Sequence, residues 1–242
     1  MSFYLEIKAS LLKDVVKAIE NINAESIWVI DNEGIYIRMS DVYRYKMLEI
    51  NINHRDMVNF KFDSKEPYYL GLVIDRLKDV TKTLKSSDLL IMDYTQGNSF
   101  ITAESNGLKR NIKLIDISLI GQPPELSVNN DYHSMIESKK MASFLKAISK
   151  SISFDVIVSE EQFIIRSETD EGLAEITWSA EDCNLKFSLD NTVTNFSTAE
   201  ITKALVAGKN TLIINGSDNS PISFEWELAP NSTIKSLVAP RV

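Results

Sequence analysis

Two histidines, one cysteine and scattered carboxylates are the residues that could do acid–base, nucleophilic or metal chemistry, and their spacing supports none of it. His54 and His133 have no second metal ligand at helix or hairpin spacing. Cys183, the one cysteine, has no neighbouring histidine to make it a thiolate nucleophile. It also excludes an internal disulfide, which fits a reducing compartment. The chain has no glycine-rich loop of the kind that cradles phosphates and no serine at a nucleophile elbow. Asp155, Glu160 and Glu161 fall in expected turns or exposed strand positions and read as a solvated face. No catalytic residue, no metal and no cofactor are therefore expected.

The residues whose type and spacing do suggest chemistry are lysines. Hydrophobic periodicity predicts helices over 10–22, 70–86, 138–152 and 197–210. Those four segments hold twelve basic and five acidic residues, a net of +7, whereas the rest of the chain carries −15 and the whole −8. Clustered positive charge attracts phosphates by counterion release without reading sequence. Lysine is also simply a good helix former on solvated faces. That alternative accounts less well for 138–152, which contains no acid at all.

The elements that position these lysines occur twice. SLLKDVVKAIENI followed by SIWVIDNEGIYIRMS is echoed by SKKMASFLKAISKSI followed by FDVIVSEEQFIIRS. Leu12, Val15, Val16 and Ile19 fall on Met141, Phe144, Leu145 and Ile148 at an offset of 129, and Glu33, Ile37 and Arg38 fall on Glu161, Ile165 and Arg166 at 128. Each copy reads as an amphipathic helix, a hairpin, a second helix and further strands. Within the closing strands Ile222, Phe224, Trp226 and Leu228 alternate with Ser223, Glu225 and Glu227. Pro123 and Pro124 suit neither a helix interior nor a central strand, so 118–130 reads as an extended linker between domains 1–117 and 131–242. One continuous α+β domain with an incidental echo is the alternative. No apolar run approaches the ~20 residues that span a bilayer, and MSFYLEIKAS has no signal-peptide pattern. A cytoplasmic or nuclear location is expected.

LLKDVVKAI, WVIDNEGIYIRMSD, LIGQPPEL, FSTAEITKAL and above all the closing LVAPRV resemble the proliferating cell nuclear antigen (PCNA) family of archaeal and eukaryotic DNA sliding clamps, over essentially the whole chain. The resemblance implies an α+β fold of two topologically similar clamp domains, each with two helices packed on antiparallel sheets, forming as a trimer a ring of pseudo-six-fold symmetry. It implies double-stranded DNA as a partner, encircled without sequence preference, faced by Lys13, Lys17, Lys82, Lys85, Lys146, Lys150, Lys203 and Lys209. It implies subunit contacts through edge strands near 108–117 and 173–180, with Arg110, Ile112, Leu114, Ala174, Ile176 and Trp178. Short peptide motifs of DNA polymerase, flap endonuclease, DNA ligase and clamp loader would enter a hydrophobic groove at Ser40, Met47, Ile120, Gln122, Pro221, Leu237, Ala239 and Pro240. Asp41-Val42-Tyr43-Arg44 departs from the family's usual turn after the first hairpin, and Asp14 and Glu20 stand at inner-helix positions that are basic in some members. Homotrimer and heterotrimer both stay open. The alternative function is a clamp-fold interaction scaffold, or a checkpoint-like ring subunit, without a direct replication role.

Overall fold

A computed structural model describes residues 2–123, 128, 130–169, 172–188, 191–206 and 210–241. The chain divides into two compact units. The first comprises Met1–Val42, Leu48–Pro123 and Glu227–Ile234; the second comprises Tyr43–Met47, Pro124–Trp226 and Lys235–Val242.

The elements of the first half are β1 (Ser2–Lys8), α1 (Ala9–Ile19), β2 (Glu25–Asp31), β3 (Gly34–Ser40), β4 (Lys46–Asn53), β5 (Asn59–Phe62), β6 (Tyr68–Val73), α2 (Ile74–Thr81), β7 (Leu89–Thr95), β8 (Phe100–Ser105) and β9 (Leu108–Lys113). The second half repeats the order with β10 (Tyr132–Glu137), α3 (Ser138–Ala147), β11 (Ser153–Val158), β12 (Gln162–Thr169), β13 (Gly172–Ser179), β14 (Lys186–Phe187), β15 (Thr192–Ser197), α4 (Thr198–Ala204), β16 (Thr211–Gly216), β17 (Ile222–Ala229) and β18 (Ser232–Val238). Strand order repeats as well. β5-β1-β7-β8-β9 matches β14-β10-β16-β17-β18, and β6-β2-β3-β4 matches β15-β11-β12-β13. Neighbouring strands such as β1 and β7, β2 and β3, β11 and β12, and β12 and β13 pair antiparallel.

The core follows the periodicities. On α1, Leu12, Val15, Val16 and Ile19 are buried, and on the equivalent face of α3 so are Met141, Phe144, Leu145 and Ile148. Phe3, Leu5 and Ile7 alternate inward along β1. Even a surface ion pair is repeated: Arg38 on β3 meets Glu49 on β4 at 3.2 Å, and Arg166 on β12 meets Glu175 on β13 at 2.7 Å.

Several boundaries differ from expectation. Each half opens with a strand, β1 or β10, that precedes its first helix. Leu70 to Val73 belong to β6 rather than to the helix expected from residue 70. Glycine has no side chain to pack in a helix there and is needed for a close approach: a Cβ on Gly71 would stand 2.5 Å from the carbonyl oxygen of Ile115, with which Gly71 forms a bridge. The helices are shorter than predicted. α2 ends where Thr81 and Thr83 turn their hydroxyls back to the Lys78 and Val80 carbonyls, and where Asp88 takes the Lys85 amide at 2.7 Å. The segment expected to be wholly extended begins with a 3-10 turn, Ile117–Leu119, capped by the Asp116 carboxylate on the Ser118 amide at 2.9 Å; Pro124–Ser127 and Asn129 lie outside the described residues. β9 stops at Lys113, so Leu114 lies beyond it, its amide bonded to Ser99 at 2.9 Å. β13 ends at Ser179, and Ala180 begins a turn. Ser223, expected outside, is buried. No helix among the described residues is long and apolar enough to cross a membrane.

Candidate nucleic-acid interface

Within the first unit α1 packs beside α2, and within the second α3 packs beside α4. Each helix buries its apolar face, leaving its charged face to solvent. α4 starts with a side-chain cap: the Ser197 hydroxyl accepts from the Glu200 amide at 3.4 Å.

The lysines differ in how much of their charge is available. Lys13 and Lys17 lie one turn apart on α1, and the Lys13 ammonium donates to the Leu84 carbonyl. Lys82 caps the end of α2 and pairs with Asp79, which Lys82 holds below the usual carboxylate range by hydrogen bond and charge. Lys78 bridges to Glu20 at 2.9 Å and to Asp75 at 3.5 Å, and the Glu20 contact raises its pKa. Lys203 pairs with Glu200 at 3.3 Å. Lys146 stands in the last turn of α3, with Lys85 and Lys150 in turns beyond helix ends. Lys209 lies outside the described residues. Among the described residues, Lys17, Lys85, Lys139, Lys146 and Lys150 have no carboxylate within ion-pair distance.

The positive excess is therefore not spread evenly. The observed helices carry eight basic and four acidic residues, a net of +4, so part of the predicted +7 sits in the turns that follow them. The first unit neutralises much of its helical charge internally. α3 does not: it contains no acid, and its exposed face is Lys139, Lys140, Ala142, Ser143, Lys146 and Ala147. Among the described residues, only Lys140 of these has a carboxylate partner, Glu137 at 3.4 Å. Lys139, outside the group first singled out, belongs on this surface.

One lysine was not anticipated at all. Lys46 is a buried charge, 5% exposed, held by Glu200 on α4. Burial pushes the Glu200 carboxyl up, but the Lys46 hydrogen bond and charge, with Lys203, bring it below its ordinary value. A carboxylate so lowered adds stability above its unfolded pKa near 4.3, which is lost as pH falls through the folded value. Glu200→Gln is expected to cost about 1–2 kcal/mol at pH 7, since it removes a charged partner from a buried ammonium and Glu200 itself is only partly buried. Urea melts should show the gap to the unsubstituted protein narrowing below pH ~4; a gap that persists there would rule out the ion pair as its source.

The positions expected to hold a partner peptide fall in both units. In the first, Ser40 ends β3 with its carbonyl accepting from Asn23, and Ile120 and Gln122 follow the 3-10 turn, Ile120 reaching Gly71. In the second, Met47 and Leu237 are 5% exposed, Pro221 precedes β17, and Ala239 and Pro240 follow β18, with the Ala239 amide bonded to Tyr45 at 2.8 Å.

The expected subunit contacts lie on edge strands. β9 ends the sheet β5-β1-β7-β8-β9, and β13 ends β15-β11-β12-β13. Ile112 and Trp178 point into their own units and are buried; Arg110, Leu114, Ala174 and Ile176 are half-buried. Arg110 also reaches back to the Asp79 carbonyl at 2.7 Å. Leu108, at the start of β9 on the face of Arg110 and Ile112, and Leu173, on the face of β13 opposite Trp178, are 52% and 62% exposed. Among the described residues no three His, Cys, Asp or Glu side chains converge as metal ligands would.

A twice-repeated set of nine strands and two helices, with a lysine-bearing helix surface, defines a clamp-type fold. Residues 4–120 match the family described as proliferating cell nuclear antigen, N-terminal domain. The DNA polymerase sliding clamp of Thermoplasma acidophilum is 24% identical over 98% of both chains, and DNA polymerase sliding clamp 1 of Pyrobaculum aerophilum is 24% identical over 94% of this chain and 93% of that one. Among solved structures, A. fulgidus PCNA with the C-terminal region of FEN-1 bound superposes with a TM-score of 0.90 at 18% identity, covering 99% of this chain and 98% of that one. Residues 4–120 thus match the PCNA family, and the chain as a whole is similar to archaeal DNA polymerase sliding clamps over nearly its full length.

Proposed function

We propose that this protein is a DNA sliding clamp: it encircles duplex DNA, tethers polymerases and other replication and repair proteins to it, and acts as a scaffold rather than a catalyst. The observation that carries this reading is the unneutralised lysine surface of α3 and the turn after it, on a chain whose net charge is −8. Point charges on flexible stems attract phosphates without fixing a register. Lys13, Lys17, Lys82, Lys85, Lys146, Lys150, Lys203 and Lys209 serve as the DNA side, with domains 1–117 and 131–242 each contributing a helix pair and 118–130 connecting them.

The ring closes head to tail, β9 of one copy against β13 of the next, since an unpaired edge is a template for another strand. The two edges of this one chain are complementary. β9 carries Lys109, Arg110 and Lys113 and no acid, whereas β13 carries Glu175 and is followed by Glu181 and Asp182. That complementarity favours a homotrimer. Partner motifs, including those of flap endonuclease, ligase and clamp loader, use the positions from Ser40 to Pro240 named above, apolar anchors supplying most of their affinity. The C-terminal region of FEN-1 on A. fulgidus PCNA is a relative's example of such a partner.

Polymerase extension on primed circular DNA tests the reading. Added clamp and loader are expected to lengthen products on circles and to lose that effect on linear DNA with free ends, because a ring slides off. Partner binding with no lengthening on circles would instead make the chain an interaction scaffold. Ile120→Ala with Leu237→Ala is expected to weaken binding of a flap-endonuclease C-terminal peptide at least ~10-fold, the loss of about 1.4 kcal/mol, with the ring intact by light scattering. Unchanged affinity would place the groove elsewhere.

A further inference from the structure

The outward face of β11, β12 and β15 carries an apolar row that runs from a buried residue to an exposed one. Phe154, Val156, Val158, Phe163 and Ile165 point inward and are buried. The positions between them face out, and on a solvated face they should be polar. At one level they are not. Val193 stands opposite Ile157, and Ile157 opposite Ile164. Val193 is 55% exposed and Ile157 half-buried, while Ile164, 8% exposed, forms the buried end of the row. With strands about 4.8 Å apart, the three side chains make a strip about 10 Å long.

That strip floors a half-open depression of about 850 Å³ whose rim includes Glu160, Glu161, Gln162 and Asn191. Both glutamates are exposed and neither has a cationic partner among the described residues. One residue pair further along the strands the face turns polar: Asn195 donates to Asp155 at 2.7 Å, and Arg166 to Glu175 at 2.7 Å. The strip is thus bounded on both sides by net negative charge.

The first unit builds the same arrangement from different residues. Tyr69 stands opposite Val29, and Val29 opposite Tyr36, while the turn beyond carries Asp31 and Glu33. Val29 and Tyr36 lie 128 positions before Ile157 and Ile164, so the apolar level occupies equivalent places in both copies.

We propose that the depression on the second unit binds a short cationic peptide segment of a partner protein, with one branched aliphatic side chain on the Val193-Ile157-Ile164 strip and flanking lysine or arginine at Glu160 and Glu161. The apolar floor removes hydrocarbon from water, and the rim selects the charge. The same carboxylates repel nucleic acid and anionic lipid. The residues are not those of the lysine surface, the groove positions or the edge strands β9 and β13, so the proposal goes beyond the clamp reading and can fail without it.

The probe is the synthetic peptide acetyl-Lys-Lys-Ile-Lys-Lys-amide, titrated into the full chain with methyl-detected NMR. Saturable shifts are expected at Ile157, Ile164 and Val193. Glu160→Gln with Glu161→Gln should weaken binding about 10-fold, and Val193→Ser, which leaves charge unchanged, about 5-fold. A peptide with glutamate for each lysine should not bind. Shifts spread over the acidic surface without saturation, or equal affinity in the glutamine variant, would overturn the proposal. Concentration-dependent self-association lost in Val193→Ser would overturn it too, because the occupant would then be a second copy.

Discussion

Replacing Lys146 and Lys150 together by glutamate is expected to reduce clamp loading and processivity on circular DNA by about 10- to 100-fold while leaving the chain folded. Neither ammonium has a carboxylate partner among the described residues, so no ion pair seen there is broken. The structural cost is an unfavourable carboxylate at the end of α3, about 0.5–1 kcal/mol from the helix dipole, readable as a small drop in melting temperature. The functional cost is larger, because two attractions to phosphate become two repulsions in every subunit. The slope of log affinity against log salt should fall by about two per chain if each lysine neutralises one phosphate. Lys82→Glu is the informative control. Its charge is already engaged by Asp79, so its effect on DNA should be smaller. Full loading of the Lys146→Glu, Lys150→Glu chain at both low and high salt would remove α3 from the DNA side.

Leu173→Asp is expected to abolish the ring. Leu173 lies on the edge strand β13, mostly exposed, where it contributes little to its own unit. Pairing with a second copy would bury it, and an aspartate there meets desolvation without a partner. Because each copy in a head-to-tail ring offers the same edge, one substitution removes every contact at once. Mass measurement should give about three times 27.4 kDa for the unsubstituted protein and 27.4 kDa for the variant, with unchanged far-ultraviolet circular dichroism. A trimer that survives the substitution would mean that closure uses another edge. An unsubstituted chain that is monomeric alone, and trimeric only with related subunits, would replace self-complementarity by a mixed ring.

The part of the fold legible in the sequence is what local periodicity encodes. Leu12, Val15, Val16 and Ile19 mark one face of α1, and the same spacing at Met141, Phe144, Leu145 and Ile148 reveals the duplication. β1 carries an equally clear alternation at Phe3, Leu5 and Ile7, but its counterpart β10 masks the repeat by burying Ser134 between Tyr132 and Ile136. Leu70 to Val73 fit either a strand or a helix start; the deciding fact is the approach of Ile115 to Gly71, which is remote in sequence. The lysine cluster was legible as charge, but its inequality was not. That Lys82 is spent on Asp79 and Lys146 is not depends on rotamers, and the burial of Lys46 depends on Glu200, a distant strand-to-helix partner.

The exposed face of α3 alternates its ammonium groups with Ala142, Ser143 and Ala147, side chains too short to enter a groove. A double helix moving past such a wall would meet no tooth. Each mobile cation can pass from one phosphate to the next with little loss of attraction between them. The energy along the screw path is then nearly level, and thermal motion is enough to carry the ring along its track in either direction.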